Sequence, residues 1–236
     1  EDLGGAYVAA EDVGVTVADV DEMARETRHV AGVSSGVGDP SPWTAQGVFL
    51  CLETAARRRV GGLEARRVMV KGLGAVGWKL CERLSAAGAR LTVADIRGEA
   101  VARAVSAFGA TTVSVERAHA EPADVYAPCA LGGEFSADTI PELAAPVICG
   151  AANNQLLTAE DGARLAERGA LYCPDYLVNA GGLIRLAMTA VGLSESEAEA
   201  KLLALPETLG AILDEAERDG RSPTDVADAR ADPRRA

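Results

Sequence analysis

Lysine is nearly absent from this sequence. Of the 23 basic residues only Lys71, Lys79 and Lys201 are lysines, and the others are arginines. Acidic residues number 35, which gives a net charge of −12 and an isoelectric point of about 4.7. Nucleic acids and anionic membranes bind through clustered positive charge, so this balance argues against both as partners.

Cysteine and histidine are too sparse to suggest a disulfide framework or a metal site. The cysteines are odd in number and form no Cys-x-x-Cys pair, and His29 and His119 have no partner motif. We therefore expect no metal, and reduced, mostly buried thiols. No apolar run reaches the roughly 18 residues of a membrane span, and the N-terminus lacks a signal-peptide layout, so the expected location is cytoplasmic. The cysteines are Cys51, Cys81, Cys129, Cys149 and Cys173.

Aromatic residues are also scarce, at 4%, although hydrophobic residues reach 48%. Most of the hydrophobic residues are therefore aliphatic, and abundant small ones such as Ala and Val suit the core of an α/β protein. From Arg67 onward, short apolar strands alternate with helical patterns, which predicts a doubly wound, mostly parallel sheet. The predicted strands are 68–72, 90–96, 111–115, 123–130, 145–153 and 170–177, and the helices between them are 75–88, 97–108 and 160–169.

The two ends of the chain have a different pattern. Helices are predicted at 19–27 and 43–59, with a hinge rich in Gly, Ser and Pro at 32–42. Near the C-terminus, Ser194 begins a capping box and Gly220 ends a long helix, which Pro206 should bend or split. We expect the tail 226–236 to be polar and frayed. The helix carries an apolar stripe that needs a surface outside the sheet, made of Ala198, Leu202, Leu205, Leu209, Ile212 and Ala216.

The stretch VMVKGLGAVG (68–77) contains a Gly-x-Gly-x-x-Gly turn between a strand and a helix. Gly72 would permit the tight turn, Gly74 the close approach of a pyrophosphate, and Gly77 close packing of helix on strand. The N-terminus of the helix adds a dipole that favours phosphate. This context predicts a Rossmann-type dinucleotide site.

Asp95 ends the next strand, where an acidic residue bonds the adenosine ribose. Its charge would repel a 2′-phosphate, so NAD is the expected cofactor rather than NADP, although Arg97 nearby weakens that preference. GAANNQL (150–156) and PDYLVNAGG (174–182) each place amides beside glycines after a strand. These amides either contact a nicotinamide or fill polar loops.

Seven motifs together resemble those of amino-acid dehydrogenases, in the same order. The sequence most resembles the leucine, valine and phenylalanine dehydrogenase branch, from about Gly5 to Ala229. Its arginine-rich, lysine-poor composition resembles that of a high-GC bacterium, which fits the valine dehydrogenase type. The motifs are AAEDVGV, GDPSPWTAQGV, GLGAVG, the Asp95 strand, YAPCALGG, GAANNQL and YCPDYLVNAGG.

The resemblance implies an oxidative deamination of an apolar L-amino acid to a 2-keto acid and ammonia. It makes Asp12 the active-site aspartate that assists proton transfer, and Thr44 the residue that holds the nicotinamide carboxamide. Val178 and Leu183 fall near the substrate side-chain pocket. The remaining matches are cofactor-binding: Gly72, Gly74, Ala75, Val76 and Gly77 at the pyrophosphate, Asp95 at the ribose, Cys129 and Ala130 beside the adenosine half, and Asn153 and Asn179 at the nicotinamide ribose and cleft.

The sequence departs from the family in one large respect. Family members carry, before the AEDVG strand, a substrate domain with two lysines in Gly-rich segments, and these bind the carboxylate and act as base. None of the three lysines here stands in such a segment. The resemblance therefore divides the chain into a substrate-domain remnant with hinge (1–40), an NAD-binding domain (41–190) and a C-terminal helical segment that packs back toward the N-terminal part (191–236).

Smaller departures lie at Val15, where the family usually has Thr, at bulky Trp43, and at 185–192, where acidic residues are usual. Three interpretations stay open at this point. The chain is an amino-acid dehydrogenase completed by a separately supplied lysine-bearing domain, a shortened NAD enzyme that acts on another small molecule, or a non-catalytic NAD-binding subunit. The apolar stripe favours the first, because the corresponding family helix packs on the substrate domain. The resemblance also implies a homo-oligomer, a dimer or larger.

Overall fold

A computed structural model describes residues 2–12 and 14–232 of the chain. Its centre is a six-stranded, all-parallel sheet in the order β5-β4-β3-β6-β7-β8, and β1 and β2 pair in a separate parallel ribbon. The predicted doubly wound Rossmann-type sheet is thus confirmed. The strands are β1 (Ala9–Ala10), β2 (Val30–Ala31), β3 (Arg67–Lys71), β4 (Arg90–Ala94), β5 (Thr111–Thr112), β6 (Val125–Pro128), β7 (Val147–Ile148) and β8 (Leu171–Tyr172).

Helices cover both faces of this sheet. Short 3-10 helices at 115–120 and 140–142 supplement them. Among the described residues, no helix combines the length and the apolar character needed to cross a membrane. The α-helices are α1 (Val17–Met23), α2 (Ser41–Val60), α3 (Ala75–Ala86), α4 (Gly98–Phe108), α5 (Glu160–Glu167), α6 (Asp175–Val178), α7 (Gly181–Ala190), α8 (Glu195–Asp219) and α9 (Pro223–Ala231).

The strand order reverses between β3 and β6, which are hydrogen-bonded neighbours. The chain moves outward from β3 to β5 on one side and from β6 to β8 on the other. In open parallel sheets, ligands bind outside the carboxyl ends of the strands at such a reversal. The end of β3, with the glycine turn (residues 72–77) that follows it, lies at that point.

The central strands are buried on both faces, as their uninterrupted apolar runs predict. Val68 and Val70 of β3 pack into a core with α2, α3 and α8, whereas Met69 between them packs on the opposite face with Tyr126 and Ile148. This alternation is the two-residue period of a strand. The four cysteines other than Cys129 are buried, as expected from the sequence.

The apolar stripe of α8 is buried, but not by an additional domain. Leu202, Leu205 and Leu209 belong to the same core as Val48 and Leu52 of α2. Helix α2, which precedes the strands of the sheet, thus provides the surface outside the sheet that the stripe was expected to need. The stripe gives no support to a missing partner.

Two local predictions need correction. Pro206, which was expected to bend or split α8, does not split it, because the helix runs unbroken from Glu195 to Asp219. The predicted strand at 170–177 ends at Tyr172, and Pro174 begins the short helix α6. The tail is not frayed over 226–231, where α9 buries Val226, Ala227 and Ala229; residues 233–236 lie outside the described part.

Candidate functional site

Two glycines of the turn are fixed by close packing. Gly72 has a φ of +98°, and a Cβ there would come within 2.7 Å of the Cys129 and Ala130 backbone. A Cβ on Gly77 would collide with the carbonyl oxygen of Gly72 and approach the Cys129 side chain to 3.2 Å. The turn can therefore close onto β6 and α3 only with glycine at both positions.

Gly74 differs from both because its surroundings are open. It is the N-cap of α3, its backbone is extended at φ −68° and ψ −165°, and a Cβ would meet nothing within 4 Å. Nothing in the fold demands glycine here. The open space lies at the N-terminus of α3, where unpaired N–H groups and the helix dipole attract anions.

Asp95 lies beside the glycine turn rather than free in solvent. Its carboxylate accepts hydrogen bonds from the Leu73 N–H at 2.6 Å and the Arg97 N–H at 2.8 Å, and the Arg97 guanidinium adds contacts at 3.1 and 3.3 Å. Burial by itself would raise the pKa of Asp95, but the bonds donated by Arg97 and Leu73 outweigh it and hold that pKa below its usual value. The side chain is therefore a carboxylate that already holds the turn in place.

A cleft of about 1130 Å³ extends from the glycine turn to the N-terminal segment. Its walls come from the loop after β1, the start of α2, the turn after β3, and the loops after β6, β7 and β8. Most of the predicted site residues line it: Asp12, Thr44, Gly74, Ala75, Val76, Cys129, Ala130, Asn153, Asn179 and Leu183.

The other four predicted residues do not line the cleft. Gly72 and Gly77 are the first and last residues of the turn and pack against backbone or side-chain atoms, and Asp95 accepts a hydrogen bond from the turn at Leu73. Val178 is fully buried in the main core, because α6 turns it away from the opening. The structure thus does not bring Val178 to the cleft, whereas the exposed Leu183 and the nearby Leu186 line it.

The two predicted asparagines are joined. Asn179 Nδ2 donates to Asn153 Oδ1 at 2.6 Å and to the Ala151 carbonyl at 3.3 Å. These bonds connect the loop after β7, here called the amide loop (residues 150–157), to the end of α6. The pair leaves polar groups of both side chains at the cleft.

Two supporting residues were overlooked in the sequence although both stand inside quoted motifs. Gln155 is fully buried and donates from Nε2 to the Gly150 and Ala152 carbonyls, both at 2.9 Å. Asp175 accepts from the Asn154 N–H at 2.7 Å and from the Tyr172 hydroxyl at 2.8 Å. Their polar character within otherwise mostly apolar, strand-following segments was the available signal.

Carboxylates dominate the N-terminal wall. Burial, together with the charges of Asp39 and Asp12, raises the pKa of Glu11. Lys79 Nζ lies 3.4 Å from Asp39 Oδ2, and the Thr44 hydroxyl donates to the Pro40 carbonyl at 3.3 Å. Asp12 therefore lines the cleft next to a second carboxylate, Glu11.

None of the three lysines lines the cleft. Lys71 pairs with Glu134 at 2.6 Å, Lys79 pairs with Asp39, and Lys201 is exposed on α8. No lysine among the described residues is therefore placed at the cleft.

Helix α9 contributes to the opposite end of the cleft, which the sequence did not predict. Thr224 and Asp228 line it, and Asp228 Oδ1 accepts from the Tyr176 hydroxyl at 2.6 Å. The segment has no clear apolar stripe, and the available signals were Ser222, which caps the helix by accepting the Asp225 N–H at 3.1 Å, and Pro223 in the first turn.

Comparison with known proteins supports this architecture. Residues 92–202 match the Glutamate/Leucine/Phenylalanine/Valine dehydrogenase family model. A leucine dehydrogenase of Bacillus cereus is 41% identical over 98% of this chain and 65% of its own length. A valine dehydrogenase of Streptomyces virginiae is 42% identical over 98% of this chain and 67% of its own length.

A solved structure shows the same fold. The L-tryptophan dehydrogenase of Nostoc punctiforme superposes with a TM-score of 0.84 at 36% identity, over 99% of this chain and 69% of that one. The chain thus spans about two thirds of the length of the relatives it matches. The chain belongs to the glutamate, leucine, phenylalanine and valine dehydrogenase family.

Proposed function

We propose that this chain forms the cofactor-binding half of an NAD-dependent amino-acid dehydrogenase, which oxidatively deaminates an apolar L-amino acid to a 2-keto acid and ammonia. The observation that carries the proposal is the cleft, which brings the glycine turn, the Asn153–Asn179 pair and Asp12 to one opening. Leucine and valine dehydrogenases among the relatives support an apolar substrate. A homo-oligomer remains our expectation.

The residues present fit NAD. Open space at Gly74 and the N–H groups of Ala75 and Val76 suit a pyrophosphate, and the Asp95 carboxylate suits ribose hydroxyls. The amide pair suits the nicotinamide end. Bound there, NAD would supply the acceptor for the hydride that leaves the substrate α-carbon.

The chain's own residues would orient the substrate and handle a proton. Leu183 and Leu186 offer an apolar wall for a branched side chain, and Asp12 holds a carboxylate at the cleft. A general base must reach its proton directly or through one water. Since the three lysines lie elsewhere, we propose that a lysine-bearing segment outside these residues completes the site, with Asp12 assisting proton transfer.

Turnover tests this proposal. The chain is assayed for NADH formation from L-valine and L-leucine, alone and fused to the N-terminal part of the Streptomyces virginiae valine dehydrogenase that it does not cover. We expect turnover only in the fusion, and its loss on Asp12→Ala with NADH binding intact. Turnover by the chain alone on a different class of small molecule would contradict the proposal.

Cofactor selection provides a second test. Asp95→Asn should reduce the ratio of NADPH to NADH dissociation constants about tenfold, because a carboxylate that repels a 2′-phosphate becomes neutral while Arg97 remains. Asp124→Asn is the matched control. That carboxylate also accepts a backbone N–H, from Arg67 at 2.8 Å, but at the opposite end of β3. An unchanged ratio in the Asp95 variant would refute the assignment.

A further inference from the structure

A buried ion pair lies directly behind the glycine turn. Lys71 is the last residue of β3, and its Nζ contacts Glu134 Oε2 at 2.6 Å. The other carboxylate oxygen accepts a hydrogen bond from the Tyr126 hydroxyl, also at 2.6 Å. The side chains of Lys71 and Glu134 are only 15% and 7% exposed, and Tyr126 is 1% exposed.

Stability alone gives little reason for such a pair. Removing two charges from water is costly, and apolar residues of similar volume often serve equally well. Neither charged group lines the cleft, and the proposed chemistry uses neither. The pair instead specifies one arrangement of the segments that it connects.

The first of these segments is the turn itself. The residue after Lys71 is Gly72, and the Lys71 carbonyl accepts the Cys129 N–H at 2.7 Å. The Lys71 main chain and side chain thus hold both ends of the loop between β6 and Glu134. A shift at the start of the glycine turn would therefore strain the contact between the ammonium group and Glu134.

The second segment is the amide loop, which is bonded to both neighbours of Glu134. The Gly133 N–H donates to the Asn154 carbonyl at 2.8 Å, and the Phe135 N–H donates to the Gln155 carbonyl at 2.9 Å. The Phe135 carbonyl also accepts a hydrogen bond from the Leu157 N–H at 2.9 Å. Glu134 is therefore fixed to the loop that carries Asn153.

We propose that Lys71, Glu134 and Tyr126, here called the Lys71 network, are positioning residues that set the distance between the glycine turn and the amide loop. This inference rests on the proposed function, since those two segments would hold the pyrophosphate and the nicotinamide half of NAD. A dinucleotide that spans both segments depends on their spacing. A ligand that occupies one segment alone does not.

The test compares a whole dinucleotide with a half ligand. The triple variant Lys71→Met/Glu134→Leu/Tyr126→Phe replaces the Lys71 network with apolar groups of similar shape and leaves no buried charge unpaired. We expect its NADH dissociation constant to rise about tenfold, because small misplacements of binding groups are costly. Its AMP dissociation constant should stay within about twofold of the unmodified chain.

Arg58→Met is the control for the loss of any ion pair between segments that are distant in sequence. Arg58 connects α2 to Asp214 and Glu217 of α8 at 2.6 Å, away from the cleft. The Arg58→Met substitution should lower the thermal midpoint without changing the dissociation constant of NADH or of AMP. If the triple variant does not fold, Tyr126→Phe alone should raise the NADH constant about threefold with AMP unchanged.

The outcomes separate the two proposals. If the unmodified chain does not bind NADH, the proposed function is wrong, and this inference fails with it. If the unmodified chain binds NADH and the folded variant binds it equally well, only the positioning role is wrong. Equal weakening of NADH and AMP would also contradict the inference, because it would show a general loss of the site.

Discussion

Gly74→Asp is expected to raise the NADH dissociation constant by about a hundredfold or more while the thermal midpoint stays unchanged or rises slightly. Gly74 is the N-cap of α3 in extended backbone, and its Cβ direction is open. Aspartate is among the best N-cap residues and suits the positive end of the helix dipole, so folding is not harmed. It would nevertheless place a negative charge where the pyrophosphate is expected.

Gly74→Ser is the matched variant for this experiment. Serine caps the helix as well as aspartate does but carries no charge, so the NADH constant should rise only about tenfold. Calorimetric titration with NADH and thermal unfolding of the same samples measure both effects. A Gly74→Asp protein that binds NADH as tightly as the unmodified chain would show that the pyrophosphate does not lie at this turn.

Gly77→Ala is expected to lower the free energy of unfolding by about 3 kcal/mol. The added Cβ would collide with the Gly72 carbonyl and come within 3.0 Å of the Gly72 carbonyl carbon. These are backbone atoms of a turn that is already bonded to β4 through the Gly72 N–H and the Ala94 carbonyl at 2.7 Å. The collision therefore cannot be relieved by a side-chain rotation.

The same chemical change at Gly210 should have the opposite sign. Gly210 lies inside α8, and a Cβ there would meet nothing within 4 Å. Alanine should stabilise the protein by about 0.5–1 kcal/mol, because it restricts the unfolded chain and favours helix. Urea unfolding of the two variants measures both values. Equal effects at the two positions would refute the close packing of α3 on the turn.

The glycine turn was predictable because its signals are local. Gly72, Gly74 and Gly77 stand between a strand and a helix, and Asp95 ends the strand that follows. Short apolar runs that alternate with helical patterns are also local signals, and they predicted most of the sheet. The seven linked motifs then identified the family that the comparisons confirm.

The contacts that complete the site depend on distant partners, and sequence reasoning missed them. Nothing near Lys71 indicates that Glu134, more than sixty residues later, would neutralise it. The resemblance placed Val178 near the substrate pocket, but in the structure it is fully buried in the core. Helix α9 lacks an apolar stripe, and its local start signals, Ser222 and Pro223, were overlooked.

The apolar stripe of α8 shows that a correct local prediction does not identify the partner surface. The stripe is real and buried, but an amphipathic pattern does not specify which surface covers it. Leu205 packs against Gly47 of α2, where a Cβ would lie 3.0 Å from its methyl group. The small residue on α2, not the stripe itself, allows this close approach.

A crystal structure of the unmodified chain with NADH tests the central claim most directly. We expect the pyrophosphate at the N–H groups of Ala75 and Val76, the adenosine ribose at Asp95, and the nicotinamide beside Asn153 and Asn179, on the side of the cleft that faces Asp12. NADH bound elsewhere, or no NADH bound at saturating concentration, would contradict the account.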